Sequence, residues 1–106
     1  MLSSANAQTV SAGTYDVQGT NLDGSAYSGT ATITLTSDTT CAIEWNTAGT
    51  TSQGICMLHD DAFAAGYVLQ DAVGLVVYKV RAGGVLEGVW TLTGQDGAGT
   101  ETLTLQ

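Results

Sequence analysis

The chain has 106 residues, with 10 acidic side chains against 2 basic ones and a formal net charge of −8. That length builds one domain around one modest core, and the charge excludes nucleic acid and anionic membrane surfaces as partners, because Lys79 and Arg81 alone cannot neutralise phosphates. No apolar run approaches the ~18 residues of a spanning helix, so no membrane insertion is expected.

In chain order, residues 1–7 end in Ala5-Asn6-Ala7, a small-x-small cleavage pattern. They read as a signal-peptide remnant or tail, with residues 8–106 as a single exported domain, periplasmic or secreted. Beyond them proline is absent, threonine abundant, and apolar residues alternate with polar ones, the period of half-buried strands. Tyr27, Gly29, Ala31, Ile33 and Leu35, for instance, interleave with Ser28, Thr30, Thr32 and Thr34. The alternation predicts eight strands, at about 13–19, 26–36, 40–46, 52–58, 62–69, 74–81, 85–93 and 100–105.

Short connections make neighbouring strands antiparallel, and each register follows from keeping the apolar faces on one side. A loop at Asn21 to Ser25 sets Gly19 opposite Tyr27. A fold-back at 46–50 sets Cys41 opposite Cys56, which predicts a cross-strand disulfide facing inward beside Leu35 and Ala65, and hence an oxidising compartment. A turn at Asp60-Asp61 pairs Leu58 with Phe63 and Gly54 with Tyr67. The loop Ala82-Gly83-Gly84 pairs Val76 with Trp90, Tyr78 with Gly88 and Lys79 with Glu87, so three tyrosines lie across from glycines. The last hairpin is expected to pair Thr93 with Thr100, placing Leu92 opposite Glu101. Residues 100–105 then return to 13–19, and the fold class is all-β: an eight-stranded antiparallel up-and-down barrel of avidin or lipocalin type. A two-sheet sandwich is the alternative, but no long crossing connection is visible.

This layout gathers the loops at 20–25, 47–51, 70–73 and 94–99 at one end, the expected mouth. Asn21, Ser25, Asn46 and an inward Glu101 stand there, with Trp45, Tyr67, Tyr78 and Trp90 on the inner face. Together these eight residues are the candidate ligand-binding site, aromatic walls with polar rim groups. Two plainer readings stand beside it: the aromatics as core filling, and Glu101 as a clasp on the amides of Gly97 to Gly99. On the outer face Ile55, Met57, Ala64, Val68, Leu75, Val77 and Val89 form an apolar patch, which suggests a homodimer. His59 stands alone in a turn with Asp60 and Asp61 and no nucleophile beside it, and the expected disulfide uses both sulfurs. No enzyme activity, metal or cofactor is therefore expected.

The order Gly13-Thr14-Tyr15, Asn21-Leu22-Asp23-Gly24-Ser25, Tyr27-Ser28-Gly29, Tyr78, Leu86-Glu87-Gly88-Val89-Trp90 and Gly99-Thr100-Glu101 resembles a group of small exported bacterial β-barrel proteins, some labelled fibronectin-binding. That resemblance implies an adhesion or protein-interaction role with an extracellular protein as partner. In outline, Asn21, Ser25 and Trp90 to Thr93 are similar to the avidin barrel, although no second tryptophan pair stands where biotin would be clamped. Exported bacterial inhibitors of metalloproteases are also barrels of this size with one disulfide, and Gln8 to Ala12 match their inserting tail by position. The expected function is a non-enzymatic exported binding protein holding a small ligand at its mouth, with adhesion module and protease inhibitor as alternatives.

Overall fold

The structure is a computed structural model that describes residues 9–106, so the cleavage pattern lies outside the described residues. Eight strands, β1 (Gly13–Thr20), β2 (Ala26–Leu35), β3 (Thr40–Thr47), β4 (Thr50–His59), β5 (Ala62–Leu69), β6 (Ala72–Arg81), β7 (Val85–Leu92) and β8 (Gly99–Leu105), follow one another around a closed barrel. Every neighbouring pair is antiparallel, and β8 closes on β1 from Tyr15 opposite Leu105 to Thr20 opposite Thr100. Among the described residues, closure leaves no sheet edge to pair with another chain.

Most hairpin registers match expectation. Gly19 faces Tyr27, Cys41 faces Cys56, Leu58 faces Phe63, and Lys79 faces Glu87. Two connections are tighter than the sequence suggested. β3 and β4 meet at Ala48-Gly49, both at positive φ (50° and 78°), which matches the twist of the flanking strands. Gln70-Asp71 likewise suffices between β5 and β6, so Val73 belongs to a strand and points outward, exposed.

The β7–β8 register differs from expectation. Thr100 pairs with Val89 rather than Thr93, and Glu101 with Gly88 rather than Leu92. Residues 93–98 form a longer connection, turning at Gly94 and Gly97 with φ of 81° and 95° and held by the Thr91 hydroxyl on the Gly97 carbonyl, 2.9 Å. A shift of four residues is even, so Glu101 keeps its inward direction.

The interior is filled towards the end opposite the mouth. Tyr15, Val17, Ile33, Phe63, Tyr78 and Leu103 are fully buried there, and Val10 packs against this cluster. The Tyr15 hydroxyl donates to the Ser11 carbonyl at 2.7 Å, so residues 10–12 help to close that end. Cys41 and Cys56 form the disulfide between β3 and β4, and both are buried. Leu35 is a correction: the last residue of β2, at the far rim, it is about half exposed rather than part of the core.

Outside, Ile55, Met57, Val68, Leu75, Val77 and Val89 are all more than half exposed. Cross-strand pairing makes them contiguous, with Met57, Ala64, Val77 and Val89 lying on one row across β4 to β7.

Near the mouth the sheet coils sharply at two close approaches. A Cβ on Gly29 would lie 2.1 Å from the Asn46 carbonyl oxygen, and one on Gly54 would lie 2.0 Å from that of Gly66. Only glycine lets neighbouring backbones come so near.

Candidate functional site

At the mouth end the barrel is hollow. A cavity of about 220 Å³ is lined by Asn21, Tyr27, Trp45, Tyr67, Trp90 and Glu101, with Thr47, Ala48, Thr50, Ser52, Leu69, Val76 and Leu92 completing the wall. Its floor is set by one cross-strand row in which Tyr27 faces Gly19, Gly19 faces Glu101, Glu101 faces Gly88, and Gly88 faces Tyr78. Each glycine leaves room for a tyrosine ring to lie across its strand, and a Cβ on Gly19 would fall 2.3 Å from Tyr27 Cζ. The two hydroxyls thus approach the carboxylate from opposite sides.

Glu101 is 7% exposed, the buried charged group among the described residues. Its Oε1 accepts from the Tyr27 hydroxyl at 2.8 Å. Oε2 accepts from the Trp45 indole N–H at 2.9 Å and from the Tyr78 hydroxyl. Three donors on two oxygens is the acceptor-only pattern of an ionised carboxylate. The clasp on Gly97 to Gly99 is replaced by this arrangement, because the β7–β8 shift brings Gly88 and Tyr78 alongside the carboxylate.

Burial, followed by the charge of Glu101, pushes the hydroxyls of Tyr27 and Tyr78 well above the ordinary tyrosine value. The same two causes, in the same order, push Tyr67 up to about 12. Neutral phenols therefore line the cavity at any physiological pH.

Two aromatic pairs make the walls. Tyr27 and Trp90 meet edge to face with centroids 6.2 Å apart, and Trp45 and Tyr67 are tilted at 5.1 Å. Their polar atoms are engaged inside the protein: Trp90 Nε1 donates to the Thr100 carbonyl and the Tyr67 hydroxyl to the Thr91 carbonyl, both at 3.2 Å. A guest would meet ring surfaces, the Asn21 amide, the polar wall residues Thr47, Thr50 and Ser52, and the carboxylate.

Of the eight residues singled out in the sequence, Asn21, Trp45, Tyr67, Trp90 and Glu101 line the cavity. Tyr78 lies beneath it, fully buried, as a support for Glu101. Ser25 stands in the exposed β1–β2 loop, donating to Asp23 Oδ1 at 2.6 Å and accepting from Asn21 Nδ2 at 3.0 Å, so it orders the rim without lining the cavity. Asn46 is a correction: it follows the inward Trp45, hence points outward, where Oδ1 accepts from the Thr51 hydroxyl at 2.7 Å. Tyr27 is the addition, and its position opposite Gly19 was the available signal.

No family model matches the chain, and neither does any curated protein. Solved structures of small β-barrels do. A redesigned β-barrel, mFAP1, bound to DFHBI superposes with a TM-score of 0.75 at 21% identity, over 88% of this chain and 93% of that one. The barrel EF1p2-mFAP2b bound to DFHBI gives 0.78 at 17% identity, over 90% and 93%. A de novo designed fluorescence-activating barrel gives 0.72 at 17% identity, over 91% and 94%. At these identities the likeness is one of fold.

Proposed function

We propose that this is a non-enzymatic exported binding protein that holds a small, partly aromatic molecule in its mouth cavity. One observation carries the reading: the space between the Tyr27–Trp90 and Trp45–Tyr67 pairs opens over a buried carboxylate, while the other half of the barrel is packed. Apolar walls with a few convergent polar groups are the makeup of ligand sites. Two of the structural neighbours are barrels bound to DFHBI, which supports the same use of the fold. Holding rather than chemistry fits the inventory, since His59 ends β4 at the far end and three donors occupy Glu101. The Cys41–Cys56 disulfide and the Ala5-Asn6-Ala7 pattern support export. Titration of tryptophan fluorescence with DFHBI and with neutral aromatic alcohols tests the site. A saturable change that Leu92→Trp removes is expected, and no response to any probe would overturn the reading.

The outer apolar face favours a second role, a homodimer through β4 to β7. Ile55, Met57, Leu75 and Val77 form an uncharged area on a chain of charge −8, where self-association must avoid like charges. Light scattering at micromolar concentration should give twice the chain mass for the parent and the chain mass for Val77→Glu. A monomeric parent would overturn this role.

A further inference from the structure

The mouth cavity contains one ionised group and nothing of opposite sign. Its lining includes Glu101 but no lysine, arginine or histidine. Lys79 and Arg81 stand at the end of β6 that faces away from the mouth, where Arg81 Nε donates to Glu87 Oε1 at 2.8 Å. The three donors on Glu101 are neutral, so they disperse its charge without cancelling it. An uncompensated buried carboxylate is costly, and a cation beside it recovers part of that cost. Oε2 already accepts twice, whereas Oε1 accepts only from Tyr27 among these donors and retains a lone pair.

The walls complement the floor. Tyr27, Trp45, Tyr67 and Trp90 all line the cavity, and their N–H and O–H groups are engaged with Glu101 or with backbone carbonyls. What they offer a guest is π surface, which attracts cations and most strongly those with a thin hydration shell. The rim carries Asp23, Asp71 and Asp96 on three mouth loops and no basic residue, a field that concentrates cations at the opening.

We propose that the ligand is an organic ammonium ion, with its charged nitrogen set among the four aromatic rings above Glu101. This inference rests on the cavity being a ligand site. The volume, about 220 Å³, lies below the roughly 300–1,000 Å³ of drug-sized sites, so the ammonium is a small one. An inorganic cation fits less well, because Glu101 is the one carboxylate in the lining and both its oxygens already accept from the protein, while four rings take up wall that a shell of oxygens would need.

Calorimetric titration of the whole chain with three probes of similar size on one benzyl group separates the possibilities: benzylammonium, neutral benzyl alcohol and anionic phenylacetate. The ammonium should bind at least tenfold more tightly than the alcohol, and phenylacetate should not bind. In Glu101→Gln the affinity for the ammonium should fall to within about twofold of that for the alcohol, both measured on the variant. Equal binding of ammonium and alcohol by the parent would overturn the inference while leaving the cavity a ligand site. A preference that survives in Glu101→Gln would overturn the role of that carboxylate. Binding of none of the three would remove both readings. If Glu101→Gln does not fold, the parent's ranking of the three probes decides the ammonium question by itself.

Discussion

Gly88 stands opposite Glu101, and a Cβ on Gly88 would fall 2.6 Å from both Tyr78 Cδ1 and the Val77 carbonyl oxygen. Tyr78 has no free space to move into, and the carbonyl is backbone. Gly88→Ala should therefore cost about 2 kcal/mol, the middle of the range for overpacking. Gly74 provides the contrast. There the three atoms nearest the Cβ all belong to Tyr67, with Cζ at 2.1 Å, and that ring borders the cavity and can swing into it. Gly74→Ala should lose less stability in urea than Gly88→Ala but alter probe binding more.

Removing the acceptor is expected to cost more than removing one donor. Glu101→Leu leaves the Tyr78 hydroxyl and the Trp45 N–H without a partner, at 0% and 4% exposure. At about 1–3 kcal/mol for each stranded buried group, the loss should reach roughly 3 kcal/mol. Tyr78→Phe leaves Glu101 two of its donors and should cost about 1 kcal/mol. The double variant should be more stable than the sum of the two losses predicts, because the phenylalanine removes a hydroxyl that Glu101→Leu would strand. Chemical denaturation of the three variants measures all of these.

Much of this was legible because a period of two and short turns leave few registers that keep apolar faces together. Cys41 opposite Cys56 followed from the centre of the fold-back, and Tyr78 opposite Gly88 from the loop that keeps apolar residues on one face. The β7–β8 register did not, because residues 93–98 contain two glycines at positive φ and lengthen the connection in a way alternation cannot detect. Shifts by an even number preserve side-chain direction, so Glu101 was placed inward correctly but with the wrong neighbour. The donors to Glu101 were hidden for the same reason, since they come from β2, β3 and β6 and depend on which glycine faces the carboxylate. Asn46 shows the limit at a rim: loop proximity suggested a lining residue, and the parity of the strand directs it outward.

The disulfide closes a loop with a sequence separation of 15. In the chain-entropy model that constraint is worth about 3 kcal/mol, acting on the unfolded chain. Cys41→Ala/Cys56→Ala should lower the urea midpoint accordingly, with a small added loss from the two buried sulfurs. The barrel should still form, as β3 and β4 are also paired from Thr40 opposite Met57 to Thr47 opposite Thr50. The parent treated with reductant should fall nearly as far, stopping short of the variant by that small loss, because it keeps both sulfurs. Unchanged stability on reduction would show that the bond does not constrain the unfolded chain.

All four tyrosines in the chain hold their protons more tightly when folded than the ordinary value of 10.0. Burial is the largest cause in each, and the charge of Glu101 adds to it at Tyr27, Tyr67 and Tyr78. A group whose folded pKa is raised supports the fold fully below its unfolded value, and that support is lost as pH rises through the folded one. The urea midpoint should accordingly be indifferent to tyrosine ionisation up to pH 10, then fall steadily, with the share of Tyr67 exhausted near 12 and those of Tyr27 and Tyr78 later. Tyrosinate absorbance gives a second reading of the same linkage. In the native state it should stay low as pH passes 10 and rise together with the loss of β-sheet circular dichroism. Tyr78→Phe removes one of the linked protons, so its midpoint should fall less steeply with pH than that of the parent. A native sheet signal that persists while tyrosinate appears near pH 10 would mean that the phenols are not held by the carboxylate and the burial described above.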